Sequence, residues 1–324
     1  MKISFLRGGI LTLTCGGLFA FLLLRFAEPS YQGKTISAWQ DDWASQKSRG
    51  WPEALQHIGT NAIPYAVQNL ALNDSRWRSN YTRIQSKIPE VFKRFFPAPK
   101  PLLREVDVAN VFHYIGSNSI PYAIALLKHH SPSVRRAAAW GFGSLRKQSV
   151  AANQALPALI DALADVDPQV CFDAALSIRE MGADASNAVP ALAGIVADRG
   201  SGSQTSSLFY LRAAAAAALG KIGPSAASSL PALRFAMQDS NSYLRGQAAV
   251  AIWRIDADVD STLPILLGGM PGTIEDSKWD WIIALGEMGP RAKAAIPQLQ
   301  SELKQDHYPW VLDYVTNALK SIGP

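Results

Sequence analysis

Residues 212–239 read "RAAAAAALGKIGPSAASSLPALRFAMQD", and this stretch carries the clearest structural signal in the chain. Six consecutive alanines favour a helix and leave room for a neighbouring helix to approach closely. Gly223 follows the apolar run at a place where a left-handed residue closes a helix. Pro231 then stands near the first turn of the next helix, where its missing N–H costs nothing. The stretch therefore predicts two helices separated by a short turn.

The same pattern of apolar run, glycine, proline and second apolar run recurs along the chain. It is found, for example, in "ALQHIGTNAIPYAVQNLAL" from Ala54 and in "WIIALGEMGPRAKAAIPQLQSELKQD" from Trp281. The prolines that open the second runs are Pro64, Pro121, Pro157, Pro190, Pro231, Pro264 and Pro297. From Pro157 onward they are 33, 41, 33 and 33 residues apart. Such a period predicts an array of two-helix repeats, at about 51–72, 102–130, 133–166, 168–199, 207–238, 241–271 and 274–305, with a last helix at 309–322.

The segments "VRRAAAWGFGSL" (134–145), "LRAAAAAALGKIGPSAASSLPAL" (211–233) and "IIALGEMGPRAKAAIPQL" (282–299) carry a family resemblance. The chain resembles the HEAT-repeat family, in particular the short HEAT-like repeats of phycobilin lyases. Its head, "EPSYQGKTISAWQDDW" (28–43), is similar to that of bacterial exported HEAT proteins. The resemblance implies an all-α fold, an α-solenoid of the HEAT/ARM type. We expect residues 28–50 to form a linker with a short helix, and residues 51–324 to form the solenoid.

The N-terminal segment predicts a membrane anchor. Lys2 and Arg7 precede an uncharged, mostly apolar run from Gly8 to Leu24, which as a helix would span roughly 25 Å. No small residues stand at good cleavage positions, so an uncleaved signal anchor or transmembrane helix over 1–27 is favoured over a cleaved signal peptide. The positive charges on its N-terminal flank predict that the bulk of the chain is exported to the periplasmic side of the cytoplasmic membrane.

An insertion at 73–101 interrupts the first repeats and is the most basic and aromatic part of the chain. Its basic residues include Arg76, Arg78, Arg83, Lys87, Lys93 and Arg94. Three interpretations remain open for it. It is a solvated helix with its apolar face on the first repeat, a surface that meets anionic lipid headgroups, or a surface that meets a protein or another polyanion.

The sequence contains no recognisable catalytic, cofactor or metal motif, and its two cysteines, Cys15 and Cys171, provide no disulfide framework. The net charge of +5 is too small to indicate nucleic acid as a partner. We therefore expect a non-enzymatic scaffold that binds protein partners through the solenoid surface. The candidate contacts on the second helices are Asp161, Arg234, Gln238 and Gln300. A chromophore lyase or chaperone of the phycobilin-lyase type is the alternative, and binding to an anionic membrane surface through 76–96 is another.

Overall fold

The computed structural model describes residues 28–89, 92, 103–146, 150–198, 206–269, 275–304 and 309–323. The chain divides into two compact units, Met1–Asn118 and Ser119–Pro324, which we call unit 1 and unit 2. The predicted anchor at 1–27 lies outside the described residues. Within the part of the chain that is described, no helix is long and apolar enough to span a membrane.

Unit 1 begins with a small hairpin that the sequence did not predict. Strands β1 (Ser30–Tyr31) and β2 (Lys34–Thr35) pair antiparallel. The helices of unit 1 are α1 (Ile36–Ala44), α2 (Trp51–Ile58), α3 (Ala62–Ala71), α4 (Arg76–Gln85) and α5 (Glu105–Ile115). Helices α2 and α3 both pack on α5. The hairpin is attached to α2, because the Tyr31 ring stacks on His57 and the Tyr31 hydroxyl donates to Glu53 Oε1 at 3.0 Å.

The two ends of the predicted insertion are held close to each other within unit 1. The backbone of Leu103 is held by two side chains of the preceding pair: its N–H donates to Asn69 Oδ1 at 2.9 Å, and its carbonyl accepts from Asn73 Nδ2 at 3.0 Å. Helix α4 lies between these attachment points in the sequence. No described side chain from Arg76 to Pro89 is buried, so the insertion contributes little to the core of the unit.

Unit 2 consists of helix pairs. Its first helices are α7 (Pro132–Arg146), α9 (Pro168–Met181), α11 (Ser206–Ile222), α13 (Ser242–Asp256), α15 (Glu275–Met288) and α17 (Pro309–Ile322). Its second helices are α6 (Ile120–Leu126), α8 (Leu156–Ala162), α10 (Val189–Ala197), α12 (Leu230–Ala236), α14 (Val259–Gly269) and α16 (Ile296–Glu302). Each first helix packs on the next first helix, which makes a continuous layer. The predicted all-α array of repeats is therefore present in unit 2.

The turns between paired helices follow the predicted chemistry. Gly182 and Gly223 end their helices with φ angles of +58° and +76°, a backbone conformation that glycine adopts at low cost. A 3₁₀ segment of seven residues follows each of them, and the second helix then begins with proline in its first turn. Pro264 is an exception, because α14 starts at Val259, two residues after the left-handed Ala257, without a 3₁₀ segment. The proline therefore lies inside that helix.

The alanine run is buried on every side. Residues 211–220 of α11 are all buried, and the alanines at 213–218 are almost fully inaccessible. A Cβ added at Gly220 would lie 2.9 Å from the Cα of Ala251 in α13, so the two backbones nearly touch. Small side chains are needed here because α11 has neighbours on all its faces, which confirms that the run serves packing.

Candidate functional site

An arginine near the start of several first helices holds the turn that precedes it. Arg135 donates to the carbonyls of His129 and His130 at 2.9 and 3.2 Å, and Arg245 donates to those of Asp239 and Ser240, each at 2.8 Å. The turn is the place where a helix pair ends and the next begins. These arginines therefore fix how consecutive repeats are joined.

Arg135 and the corresponding residue of α11, Arg212, form ion pairs with an aspartate in the turn that follows their repeat. Arg135 binds both carboxylate oxygens of Asp165, at 2.7 and 2.8 Å. Arg212 is only 1% exposed and donates to Asp239 Oδ2 at 2.8 Å and to the Val196 carbonyl at 3.1 Å. In α9 the corresponding position is Cys171, whose Sγ lies 3.3 Å from the Asp165 carbonyl oxygen.

The ion pair of Asp165 predicts a loss of stability in acid. Burial alone would raise the pKa of Asp165. Hydrogen bonds from Arg135 and from the Asp167 backbone together lower this pKa by more than burial raises it, so it lies below its ordinary value. The folded state then binds fewer protons than the unfolded chain near pH 4, and stability falls as the pH drops through this range. We expect the free energy of unfolding to decrease below about pH 4.5.

This pH effect can be assigned by comparing the protein with Asp165→Asn in urea unfolding at pH 7 and at lower pH. The variant should be less stable at pH 7, because Arg135 loses a charged partner, and it should lose less stability on acidification. An acid dependence that is unchanged in the variant would contradict the assignment.

A second cluster lies on the surface of the first-helix layer and joins four consecutive first helices. Its members are Arg179 of α9, Tyr210 of α11, Tyr243 and Gln247 of α13, and Asp280 of α15. Arg179 Nη1 lies 3.9 Å from Asp280 Oδ2, and the rings of Tyr210 and Tyr243 are 6.0 Å apart between centroids. We call this set the first-helix cluster.

The first-helix cluster reveals the direction in which unit 2 curves. Helices α9 and α15 are separated in the stack by α11 and α13, yet Arg179 and Asp280 are close enough to form an ion pair. This is possible only if the first helices form the inner side of a curved stack. The alanines of α11 are consistent with this arrangement, because small side chains allow the inner layer to be tightly packed.

The chemistry of the first-helix cluster is that of a binding surface that combines aromatic rings with charges. Burial, followed by the negative charge of Asp280, raises the pKa of Tyr243, so this hydroxyl stays protonated and can donate a hydrogen bond. Gln247 is 2% exposed, and its Oε1 has no hydrogen-bond partner among the described residues. Tyr210 is 44% exposed and offers its ring to solvent.

Trp140 of α7 extends this surface toward an earlier repeat. It is 44% exposed and lies one turn before Gly143, whose added Cβ would be 3.8 Å from Glu180 Cγ. Glu180 in turn accepts a hydrogen bond from Arg179 Nη2 at 3.2 Å. An exposed tryptophan thus lies near the end of the first-helix cluster that Arg179 occupies.

The residues predicted on the second helices lie in three different repeats. Asp161 of α8 is exposed and 3.9 Å from Lys128 Nζ. Arg234 of α12 donates to Asp256 at 3.0 Å and to Asp258 at 3.1 Å, so it connects its helix to the turn before α14. Gln238 and Gln300 are exposed. In the part of the chain that the structure describes, no hydrogen bond or ion pair connects these four side chains, and their role as partner contacts stays a prediction.

The basic residues of the insertion are partly brought together. Arg76, Arg78 and Arg83 lie on α4, and Lys87 lies in the turn that follows it. Lys93 and Arg94 lie outside the described residues. Asn73, Arg78, Ser79, Thr82, Arg83 and Ser86 line an open depression on this helix.

Sequence reasoning missed the first-helix cluster, although one signal was available. The tripeptide Tyr-Leu-Arg occurs at 210–212 and again at 243–245, and both copies lie in the first half of a first helix. The tyrosine rings lie 6.0 Å apart in a tilted arrangement on the inner surface. Arg212 donates to the Val196 carbonyl near the end of α10, and Arg245 holds the turn before α13. Among the described residues, no group of histidine, cysteine and acidic side chains is suited to hold a metal ion.

Comparison with protein families agrees with this geometry. Residues 120–204 match the family of HEAT repeats, and residues 211–239 match the PBS lyase HEAT-like repeat. Unit 2 contains HEAT repeats. The matched ranges cover helices α6 to α10 and then α11 with α12, all within unit 2.

Several solved structures are similar to this chain. The complex of CpcE and CpcF of phycocyanin lyase from Nostoc sp. PCC7120 matches with 20% identity over 80% of this chain and 94% of that chain, at a TM-score of 0.47. YibA of E. coli matches with 20% identity over 77% and 87%, at 0.43, and an engineered protein with 16% over 63% and 96%, at 0.41. A search of curated proteins found no match to this sequence.

Proposed function

We propose that this chain is a non-enzymatic scaffold that binds a protein partner through the inner, first-helix surface of unit 2. If the segment 1–27 anchors the chain as its sequence predicts, this surface faces the periplasmic side of the cytoplasmic membrane. The first-helix cluster is the observation that carries the proposal, since four consecutive repeats contribute to one surface patch.

The composition of this surface supports protein binding. Tryptophan, tyrosine and arginine are the residues that most often dominate the binding energy of protein interfaces. Here the exposed rings of Trp140 and Tyr210 lie near the half-buried Arg179 and Tyr243.

The scaffold proposal can be tested with Tyr210→Ala and Trp140→Ala. The tagged chain is captured from membranes, its partners are identified by mass spectrometry, and affinities are then measured with the main partner. Each change should weaken binding about 30-fold or more, as expected for an interface hot spot. Tyr122→Ala is a matched control, because Tyr122 is equally exposed but lies on the second helix α6.

Two outcomes would contradict the proposed surface. One is unchanged affinity in both first-helix variants. The other is a loss of binding with Gln238→Ala and Gln300→Ala but not with Tyr210→Ala, which would move the interface to the second helices. Far-UV circular dichroism of each variant shows whether the fold is retained.

A chromophore lyase of the phycobilin type is a second candidate function. The match of residues 211–239 to the PBS lyase HEAT-like repeat favours it. On this hypothesis, co-expression with a bilin pigment and an acceptor protein should yield pigment attached to the acceptor. Absence of pigment transfer, together with capture of a stable partner, would favour the scaffold.

A further inference from the structure

We propose that helix α4 and the described residues that follow it, 86–89 and 92, form a docking surface for the anionic headgroups of a lipid membrane. The surface belongs to unit 1 and is independent of the first-helix cluster. It would hold the chain against the bilayer through contacts separate from the predicted anchor.

This segment is basic overall, with four basic residues against the single carboxylate of Glu90. Between Ser75 and Pro89 there are four basic residues and no acidic one. Arg76, Arg83 and Lys87 are exposed, and none of them forms an ion pair with another described residue. The spacing of seven residues puts Arg76 and Arg83 on one face of α4, and Lys87 follows in the turn after the helix. Each exposed basic side chain strengthens binding to an anionic surface by about tenfold or less.

The depression on α4 has the chemistry of a phosphate site. Its lining includes the guanidinium groups of Arg78 and Arg83 and the hydroxyls of Ser79, Thr82 and Ser86, and it contains no carboxylate. Guanidinium groups recognise phosphate through paired N–H donors. The same helix thus combines a general positive field with a place for one headgroup.

Exposed apolar side chains distinguish a membrane from a soluble polyanion. Ile84 is 59% exposed and Phe92 is 54% exposed, although both stand next to basic residues. A soluble polyanion would leave an isoleucine in water, whereas the headgroup boundary of a bilayer accepts apolar side chains beside lysine and arginine. The apolar run from Gly8 to Leu24, predicted to enter the membrane, precedes this segment in the same unit.

The test is amide hydrogen exchange of the full chain, measured by mass spectrometry with lipid vesicles. Residues 76–92 should be protected by vesicles in which roughly a third of the lipid is phosphatidylglycerol, and not by pure phosphatidylcholine vesicles. High salt should reduce this protection, because it screens exposed charges. Because hydrogen exchange is measured separately for each peptide, protection of 76–92 can be distinguished from insertion of residues 1–27 into the vesicles.

Variants assign the effect to this surface. The combined change Arg76→Gln, Arg83→Gln and Lys87→Gln should weaken the lipid-dependent protection on the order of 100-fold. The control replaces three exposed lysines of unit 2, Lys221→Gln, Lys293→Gln and Lys320→Gln, and should leave the protection unchanged. Ile84→Ser should reduce the part of the protection that survives high salt.

Three results would overturn the proposal. Equal protection by neutral and anionic vesicles would show that headgroup charge plays no part. Loss of protection in the control variant would show that the effect is a general response to net charge. Protection of 76–92 by heparin but not by anionic vesicles would assign the surface to a soluble polyanion.

Discussion

Replacing Asp239 by Asn should lower the free energy of unfolding by about 3–5 kcal/mol, which is the usual cost of breaking a buried ion pair. Arg212 is inaccessible to solvent, and the side chain of Asp239 is nearly so. After the change, the guanidinium would keep its charge in the interior without a compensating carboxylate. Arg212 Nη2 already lacks a hydrogen-bond partner among the described residues, so the remaining contacts cannot replace the lost one.

A double-mutant cycle in urea unfolding separates the ion pair from other effects of the substitution. Arg212→Met with Asp239→Asn should be less destabilised than the sum of the single variants, because neither charge is then left unpaired. The asparagine can still accept from the Asn241 N–H, which donates to Asp239 Oδ1 at 3.0 Å. Asp161→Asn, in the exposed pair with Lys128, is the control and should have no measurable effect. Additive effects of the two single changes would show that the pair is not the source of stability.

The architecture of unit 2 could largely be predicted from the sequence, because it depends on local rules. Gly223 adopts the positive φ that ends a helix, and Pro231 lies in the first turn of the next helix. Both preferences are local and do not depend on where the rest of the chain lies. Where such a local signal is missing, the prediction is less accurate. Pro264 marks a second helix in the sequence, but the position of the helix start depends on the turn at Ala257, which has no glycine to announce it.

The first-helix cluster could not be predicted in the same way. A period of about 33 residues indicates which helices pair, but both layers of such an array expose one face, and the pattern does not say which layer is inner. The inner side is determined by the difference in side-chain size between the layers across many repeats. Arg179 and Asp280 are about one hundred residues apart in sequence, and only the curvature of unit 2 brings them together. The hairpin at Ser30–Thr35 is too short to give a strand pattern.

Gly246→Ala should destabilise unit 2 by about 3 kcal/mol, the upper end of the usual cost of overpacking a core. A Cβ at this position would lie 1.9 Å from Cζ2 and 2.2 Å from Cε2 of Trp281, whereas carbon atoms in contact are about 3.5–4 Å apart. Trp281 is fully buried, and its ring also lies against Gly269. The indole therefore cannot move aside, and α13 and α15 would have to separate.

The decisive comparison is the same glycine change beside a smaller ring. In a Trp281→Phe background, Gly246→Ala should cost much less, because the phenyl ring is smaller than the indole that causes the clash. Trp281 Nε1 has no hydrogen-bond partner among the described residues, so this background change removes no known hydrogen bond. Gly194→Ala in α10 is the control: its Cβ would meet nothing within 4 Å, and alanine should stabilise the helix slightly. Urea unfolding that shows the same cost for Gly246→Ala in both backgrounds would mean that contact with Trp281 is not what requires glycine there.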